Sequence, residues 1–163
     1  MNTVSKKCEV GKFAGCVALC LLVGFIGSWF THSSVWTWYA TLRKPSFTPP
    51  SWVFAPVWTA LYVLMGISLY LVVRRGLKIM EAQTAAAVFV IQLCLNLMWA
   101  PAFFGLRSVS AGLVVIFLLW PAILATMLTS VRVSFLAAIL LMPYLVWTGY
   151  AAILNPSIFI LNR

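Results

Sequence analysis

Carboxylates are almost missing from this chain: Glu9 and Glu81 are its only acidic residues, against 11 Lys and Arg. Both lie outside the long apolar runs. No acid is therefore available inside those runs for proton coupling, and no pair of acids can face one site for general acid–base hydrolysis. Histidine is nearly absent too, and the single His32 excludes a multi-His metal site. The four cysteines, Cys8, Cys16, Cys20 and Cys94, contain no CxxC pair and imply no disulfide framework. Cys16 and Cys20 stand one turn apart in an apolar run and read as small buried apolar residues. Charge as a whole is scarce, at 8% of 163 residues with 64% hydrophobic, whereas a soluble domain carries about 25% charged residues. Water offers no way to hide that much apolar surface, so the solvent is lipid. A net charge of +9 would suggest nucleic acid in a soluble protein. Here the bases flank apolar runs, where they anchor helices at anionic headgroups, and no nucleic-acid partner is expected.

What is present is five long apolar runs: Lys12–Phe30, Trp52–Val73, Thr84–Phe104, Val109–Ser130 and Ser134–Leu154. Each suffices to cross a hydrocarbon layer of roughly 30 Å. A backbone in lipid must satisfy its own hydrogen bonds, so the runs are helices. The predicted fold is all-α: residues 1–163 form a single integral membrane domain, a bundle of five transmembrane helices. The first run follows Lys6, Lys7 and Lys12 but lacks a small-x-small cleavage site, and it reads as a retained helix and not a signal peptide. Only the connection from Thr31 to Ser51 is long. Five crossings put Lys6, Lys7, Lys12, Arg74, Arg75, Lys78 and Arg132 on one side, and Arg43, Lys44, Arg107 and Arg163 on the other. That bias favours a cytoplasmic N-terminus in a bacterial cell membrane, with an organelle outer membrane left open. Small residues at Gly11/Gly15, Gly24/Gly27 and Ala82, Ala85, Ala86 and Ala87 fit close helix packing within the bundle or a homodimer.

The chain holds 8 Trp. Trp29, Trp36, Trp38 and Trp52 sit near predicted helix ends, as in an interfacial aromatic belt. Trp58, Trp99, Trp120 and Trp147 lie inside their spans, where an indole N–H needs a partner. Gln92, Asn96, Trp99 and Phe103 step by helical spacing along one face, as do Tyr144, Trp147, Ala151 and Asn155; Trp58, Tyr62 and Met65 make a third stripe. Pointed at one another, these faces make an aromatic cavity with a few amide and hydroxyl groups, the makeup of a small-molecule site. The alternative is plain interhelical hydrogen bonding between Asn and Gln. Pro56, Pro101, Pro121 and Pro143 kink helices and favour open space between them. The connection "WYATLRKPSFTPPSW" is stiffened by Pro45, Pro49 and Pro50. It either holds Arg43 and Lys44 over one mouth of the bundle, as a lid meeting acidic groups of a ligand, or serves as an interfacial anchor.

Three segments, "WYATLRKPSFTPPSWVFAPVWTALY", "QLCLNLMWAPAFFG" and "PYLVWTGYAAILN", resemble in order and spacing the translocator protein family, also called the tryptophan-rich sensory protein or peripheral benzodiazepine receptor family. The resemblance runs from Trp38 to Asn155. It implies a five-helix bundle that binds porphyrins, among them protoporphyrin IX and haem-like tetrapyrroles, as ligand and not as required cofactor. It further implies that Trp58 and Trp147 are the pocket tryptophans, that Asn96, Trp99 and Ala151 border the ligand, and that Lys44, Pro45, Pro49 and Pro50 belong to a first-loop lid. The expected ligand-binding set is Trp38, Arg43, Lys44, Pro45, Trp58, Tyr62, Gln92, Asn96, Trp99, Phe103, Tyr144, Trp147 and Ala151. Animal members carry Leu-Asn-Tyr and a nearby Arg late in the fifth helix, a proposed cholesterol motif; here Pro156 replaces the Tyr and the Arg comes at Arg163. The function expected is a membrane receptor or carrier for porphyrins or similar hydrophobic molecules, in sensing, transport or stress response. The competing reading is light-dependent porphyrin degradation, with Trp58 and Trp147 as electron partners.

Overall fold

Among the described residues, seven α-helical segments and one π turn make five crossings. The computed structural model describes the backbone of residues 3–163 and the side chains of residues 7–163. The segments are α1 (Thr3–Val35), α2 (Trp38–Thr41), α3 (Ser51–Val73), α4 (Met80–Ala100), α5 (Val109–Val131), α6 (Phe135–Ile139) and α7 (Met142–Leu161). Five stretches have the length and apolar character to span a membrane: Lys7–Val35, Ser51–Val73, Met80–Gly105, Val109–Val131 and Phe135–Leu161. The protein is a multi-pass membrane protein. Its helices pack as a ring in the order α1, α3, α6–α7, α5 and α4, with α4 returning to α1.

Helix ends differ from the apolar runs, and the differences have local causes. The first crossing was expected over Lys12–Phe30, but α1 has 33 residues, roughly 50 Å at the rise of an α-helix. At its far end the polar stretch "THSSV" stays helical because hydroxyls bond carbonyls one turn back, Thr31 Oγ1 to Gly27 O at 3.2 Å and Ser33 Oγ to Phe30 O at 2.9 Å. Ser34 Oγ instead reaches across to Phe104 O at 2.9 Å. The lid connection is correspondingly shorter than the expected Thr31–Ser51, and α2 lies within it. The fifth crossing continues past the expected end at Leu154 to Leu161, with Pro156 inside the helix.

Two crossings depart from regular α-helix beside prolines. Pro101 opens a π turn, Pro101–Gly105, closed by Leu106 N donating to Pro101 O at 2.9 Å. Such turns shift the register of the side chains that follow them, and here both Phe103 and Phe104 are buried. The fifth crossing is interrupted at Leu140–Leu141 between α6 and α7, and Pro143 stands in the first turn of α7. Ser68 Oγ on α3 donates to Ala137 O at 2.7 Å, tying α3 to α6 just before that interruption.

Close packing explains some of the small residues. A Cβ on Gly66 would lie 2.5 Å from Val17 Cα, so α1 and α3 cross almost backbone to backbone. Gly24 faces the Tyr62 ring and Gly27 faces Ala100, while Gly11 and Gly15 meet nothing within 4 Å. Ala82 and Ala85 are buried and Ala87 is exposed. The bases Lys7, Lys12, Arg74, Arg75, Lys78 and Arg132 fall at the N-terminal end of the bundle; the side chain of Lys6, grouped with them above, lies outside the described residues. There Lys12 pairs with Glu9 at 3.0 Å, and Tyr70 Oη donates to Glu9 Oε2 at 3.1 Å.

Candidate functional site

Helix α4 carries Gln92 and Asn96 on one face, one turn apart, and both are buried. Asn96 joins three helices. Tyr62 of α3 donates through Oη to Asn96 Oδ1 at 2.6 Å, and Asn96 Nδ2 donates to Tyr144 Oη of α7 at 2.8 Å. Trp58, one turn before Tyr62, lies 5.7 Å from the Tyr62 ring at 30° and 6.2 Å edge-on from Tyr144. Trp58 and Tyr62 of one stripe, Asn96 of another and Tyr144 of the third therefore meet around a buried amide. Sequence reasoning missed the residue that makes this fit: a Cβ on Gly24 would lie 2.4 Å from the Tyr62 ring. Gly24 stood out as half of a small pair, but nothing in the sequence said which ring would fill its notch.

Toward the lid a second aromatic layer follows. Trp99 and Phe103 stack at 5.3 Å and 16°, and Trp38 of α2 meets Phe103 at 5.5 Å. Tyr39 packs edge-on against Phe103 and Phe104, and Phe103 itself fills the space over Gly112 of α5. Trp147 sits differently from Trp58. It packs on Phe54 at 5.9 Å and on Tyr150 at 6.0 Å. It also forms a wall of an apolar groove of about 690 Å³ between α3 and α6–α7, shared with Val57, Leu61, Met142, Val146 and the lid's Pro49. Ala151, one turn on, is half-buried. Trp120 lies at the surface of the bundle instead, 36% exposed, with its indole nitrogen against Gly149 of α7.

The loop between α1 and α3, expected above to act as a lid or an interfacial anchor, is fastened by residues that the sequence did not single out. Asn162 Oδ1 accepts from Arg43 N at 2.9 Å, and its Nδ2 donates to Arg43 O at 2.9 Å and to Ile158 O at 2.8 Å. Tyr150 Oη donates to Phe47 O, and Pro45 O accepts both the amide and the hydroxyl of Thr48, at 3.0 and 2.8 Å. The Arg43 side chain is exposed. Lys44 turns back onto α2, donating to Leu42 O at 3.2 Å with its ammonium 4.7 Å from the Tyr39 ring centre. Burial pushes the Tyr39 phenol above its ordinary range, so the ring under the ammonium stays neutral. Two hydrogen bonds from one amide to the Arg43 backbone contribute roughly 0.5–1.5 kcal/mol each. Asn162→Ala is accordingly expected to speed tryptic cleavage after Arg43 about tenfold in limited proteolysis, and an unchanged rate would show that the clamp does not hold the lid.

Chemically, the interior holds aromatic faces, phenols and carboxamides, with no carboxylate or histidine. Among the described residues no cluster of His, Cys, Asp and Glu could hold a metal ion. Cys20 is buried and Cys16 packs against the same core, as small apolar residues do.

The sequence has well-defined relatives. The model of the TspO/MBR family matches residues 16–161. The chain is 50% identical over 154 residues to the tryptophan-rich protein TspO of Chlorobaculum tepidum, covering 94% of this chain and 98% of that protein. It is 43% identical over 132 residues to the human translocator protein, with 80% and 78% covered. To the tryptophan-rich sensory protein of Cereibacter sphaeroides it is 36% identical over 125 residues, 77% of each chain. With the match spanning all five crossings and the aromatic core between them, this chain belongs to the TspO/MBR family.

Proposed function

We propose that the protein is a membrane receptor or carrier for porphyrins such as protoporphyrin IX and for similar flat, hydrophobic tetrapyrroles, which it binds between α3, α4 and α7. The observation that carries this reading is the buried Asn96 with Tyr62, Tyr144 and Trp58 around it. Aromatic faces suit a planar macrocycle, and a few fixed polar groups orient it. The names of the relatives, translocator and sensory protein, fit a carrier or a receptor. The exposed Arg43 on the lid is the group available to a propionate at the mouth. The bias of bases toward the N-terminal end supports a bacterial cell membrane with that end in the cytoplasm. The tetrapyrrole is cargo or signal, not a resident cofactor.

A second reading, light-driven porphyrin breakdown, draws support from the contiguous rings of Tyr62, Trp58 and Tyr144 beside the site. One experiment addresses both. Protoporphyrin IX is titrated into the purified protein in the dark and the bound complex is then illuminated, for wild type, Trp58→Phe and Trp147→Phe. Saturable micromolar binding that leaves the pigment intact in light supports the receptor. Loss of pigment that requires both indoles supports the enzyme. The absence of saturable binding in every variant contradicts both.

A further inference from the structure

A polar cleft of about 310 Å³ opens at the lid end of the bundle, where α5 starts and α7 ends. The rings of Trp38 and Phe159 make its apolar walls, and Arg107, Ser108, Ser110 and Asn162 its polar ones. The polar groups free to act there are donors. Asn162 is already spent, its amide oxygen and both amide hydrogens being bonded to Arg43 and Ile158. Ser108 Oγ accepts from Ala111 N at 3.2 Å, which leaves its own hydrogen to give. Ser110 and Arg107 are exposed, and a guanidinium has no acceptor at all. No carboxylate is at hand to answer them. The chain's two acids, Glu9 and Glu81, stand at the opposite end, where α1 and α4 begin, and Glu9 pairs there with Lys12. Positive charge instead accumulates around the cleft: Arg163 holds its guanidinium 4.6 Å from the Phe159 ring centre, and Asn162 fixes the backbone of Arg43. Arg107 is also costly where it stands. Its φ of 50° is left-handed, alone in this among the described non-glycine residues, and that conformation suits glycine far better than an L side chain. The turn into α5 has no use for an arginine's backbone, so its side chain is what accounts for it.

We propose that this cleft binds a phosphate group, held by the Arg107 guanidinium and the Ser108 and Ser110 hydroxyls between the rings of Trp38 and Phe159. A guanidinium engages two phosphate oxygens at once, and the hydroxyls donate to the others. The volume lies at the low end of small-molecule sites and is under half that of the groove beside Trp147, which suits a headgroup and not a macrocycle. The cleft is level with the ends of the spans Met80–Gly105 and Val109–Val131, at headgroup height. A membrane phospholipid and a free phosphate from water both reach it. Neither Asn96 nor its phenol partners line it, so the site stands whether or not a tetrapyrrole binds in the interior.

The test uses the full chain, delipidated in an uncharged detergent, as wild type, Arg107→Gly, Ser110→Ala and, as a charge control at the opposite end, Arg75→Gln. The probes are short-chain phosphatidylglycerol, inorganic phosphate, and the diacylglycerol of the same chain length, which lacks the phosphate. Thermal unfolding is read for every variant, and tryptic cleavage of the Arg107–Ser108 bond for wild type. Without probe, Arg107→Gly is expected to melt no lower than wild type, because glycine accepts the left-handed turn. Phosphatidylglycerol is expected to raise the melting temperature of wild type and Arg75→Gln saturably, and to slow cleavage after Arg107 about tenfold. In Arg107→Gly its affinity falls at least tenfold, the loss of a charge-assisted contact, and in Ser110→Ala by a smaller factor. A response to the lipid and not to inorganic phosphate makes this a headgroup site; an Arg107-dependent response to inorganic phosphate alone makes free phosphate the occupant and supports the same site. Equal stabilisation of wild type and Arg107→Gly overturns the proposal, as does an equal loss in Arg75→Gln or an equal effect of the diacylglycerol. No saturable response to either phosphate probe overturns it as well.

Discussion

Gly66→Ala is expected to cost the bundle about 3 kcal/mol, toward the upper end of what overpacking usually costs. The added methyl would lie 2.5 Å from Val17 Cα and 3.1 Å from Cys16 O. Those are backbone atoms of α1 and cannot rotate away as a side-chain tip can, so the two helices must separate. Membrane helices associate through close van der Waals packing and not through a hydrophobic drive, so separation removes contacts that lipid does not fully replace. Displacing α1 also lifts Gly24 from the face of Tyr62, about two turns further along α1 from Val17 and one turn back along α3 from Gly66. Thermal unfolding in detergent measures the effect. A melting temperature equal to wild type would mean that α1 is not held at this crossing.

Asn96→Leu is expected to cost less stability, about 2 kcal/mol, but to remove most of the ligand binding. The substitution strips the Tyr62 hydroxyl of its acceptor and the Tyr144 oxygen of its donor, and leaving buried polar groups unpaired carries penalties of roughly that size. With both phenols released, the rings that Asn96 aligns lose their common orientation, and Trp58 packs at a tilt against one of them. Affinity for protoporphyrin IX should fall at least tenfold, a change of about 1.4 kcal/mol in binding free energy. Asn96→Gln is the control, since it keeps donor and acceptor but moves them. A Leu variant that binds like wild type would place the ligand elsewhere.

The five crossings were readable because hydrocarbon sets a minimum apolar length and forbids unpaired backbone. The ends were less readable. Thr31 and Ser33 look like loop residues in sequence, yet their hydroxyls return to the helix and extend α1 to Val35. Helical spacing also placed Asn96, Tyr62, Tyr144 and Trp58 on faces that meet. It could not separate Trp58, against the central phenols, from Trp147, on the wall of the flanking groove, because a helical face is wide enough to hold both. Nor could it give Lys44 its direction, which depends on the carbonyls at the end of α2. Gly24 and Asn162 act through partners 38 and 119 residues away, and such pairings follow from how helices cross, not from local pattern.

The account's central claim is that a tetrapyrrole sits among the inward rings of this bundle and not on its lipid face. Trp58 and Trp120 both lie within membrane-spanning helices, one against Tyr62 and Tyr144 and the other at the bundle surface between α5 and α7. The most direct measurement is a dark titration with protoporphyrin IX that follows tryptophan quenching in wild type, Trp58→Phe and Trp120→Phe. The account predicts saturable quenching that loses its largest component, and affinity with it, in Trp58→Phe, and that is unchanged in Trp120→Phe. Equal behaviour of the two variants, or a larger loss in Trp120→Phe, would contradict it.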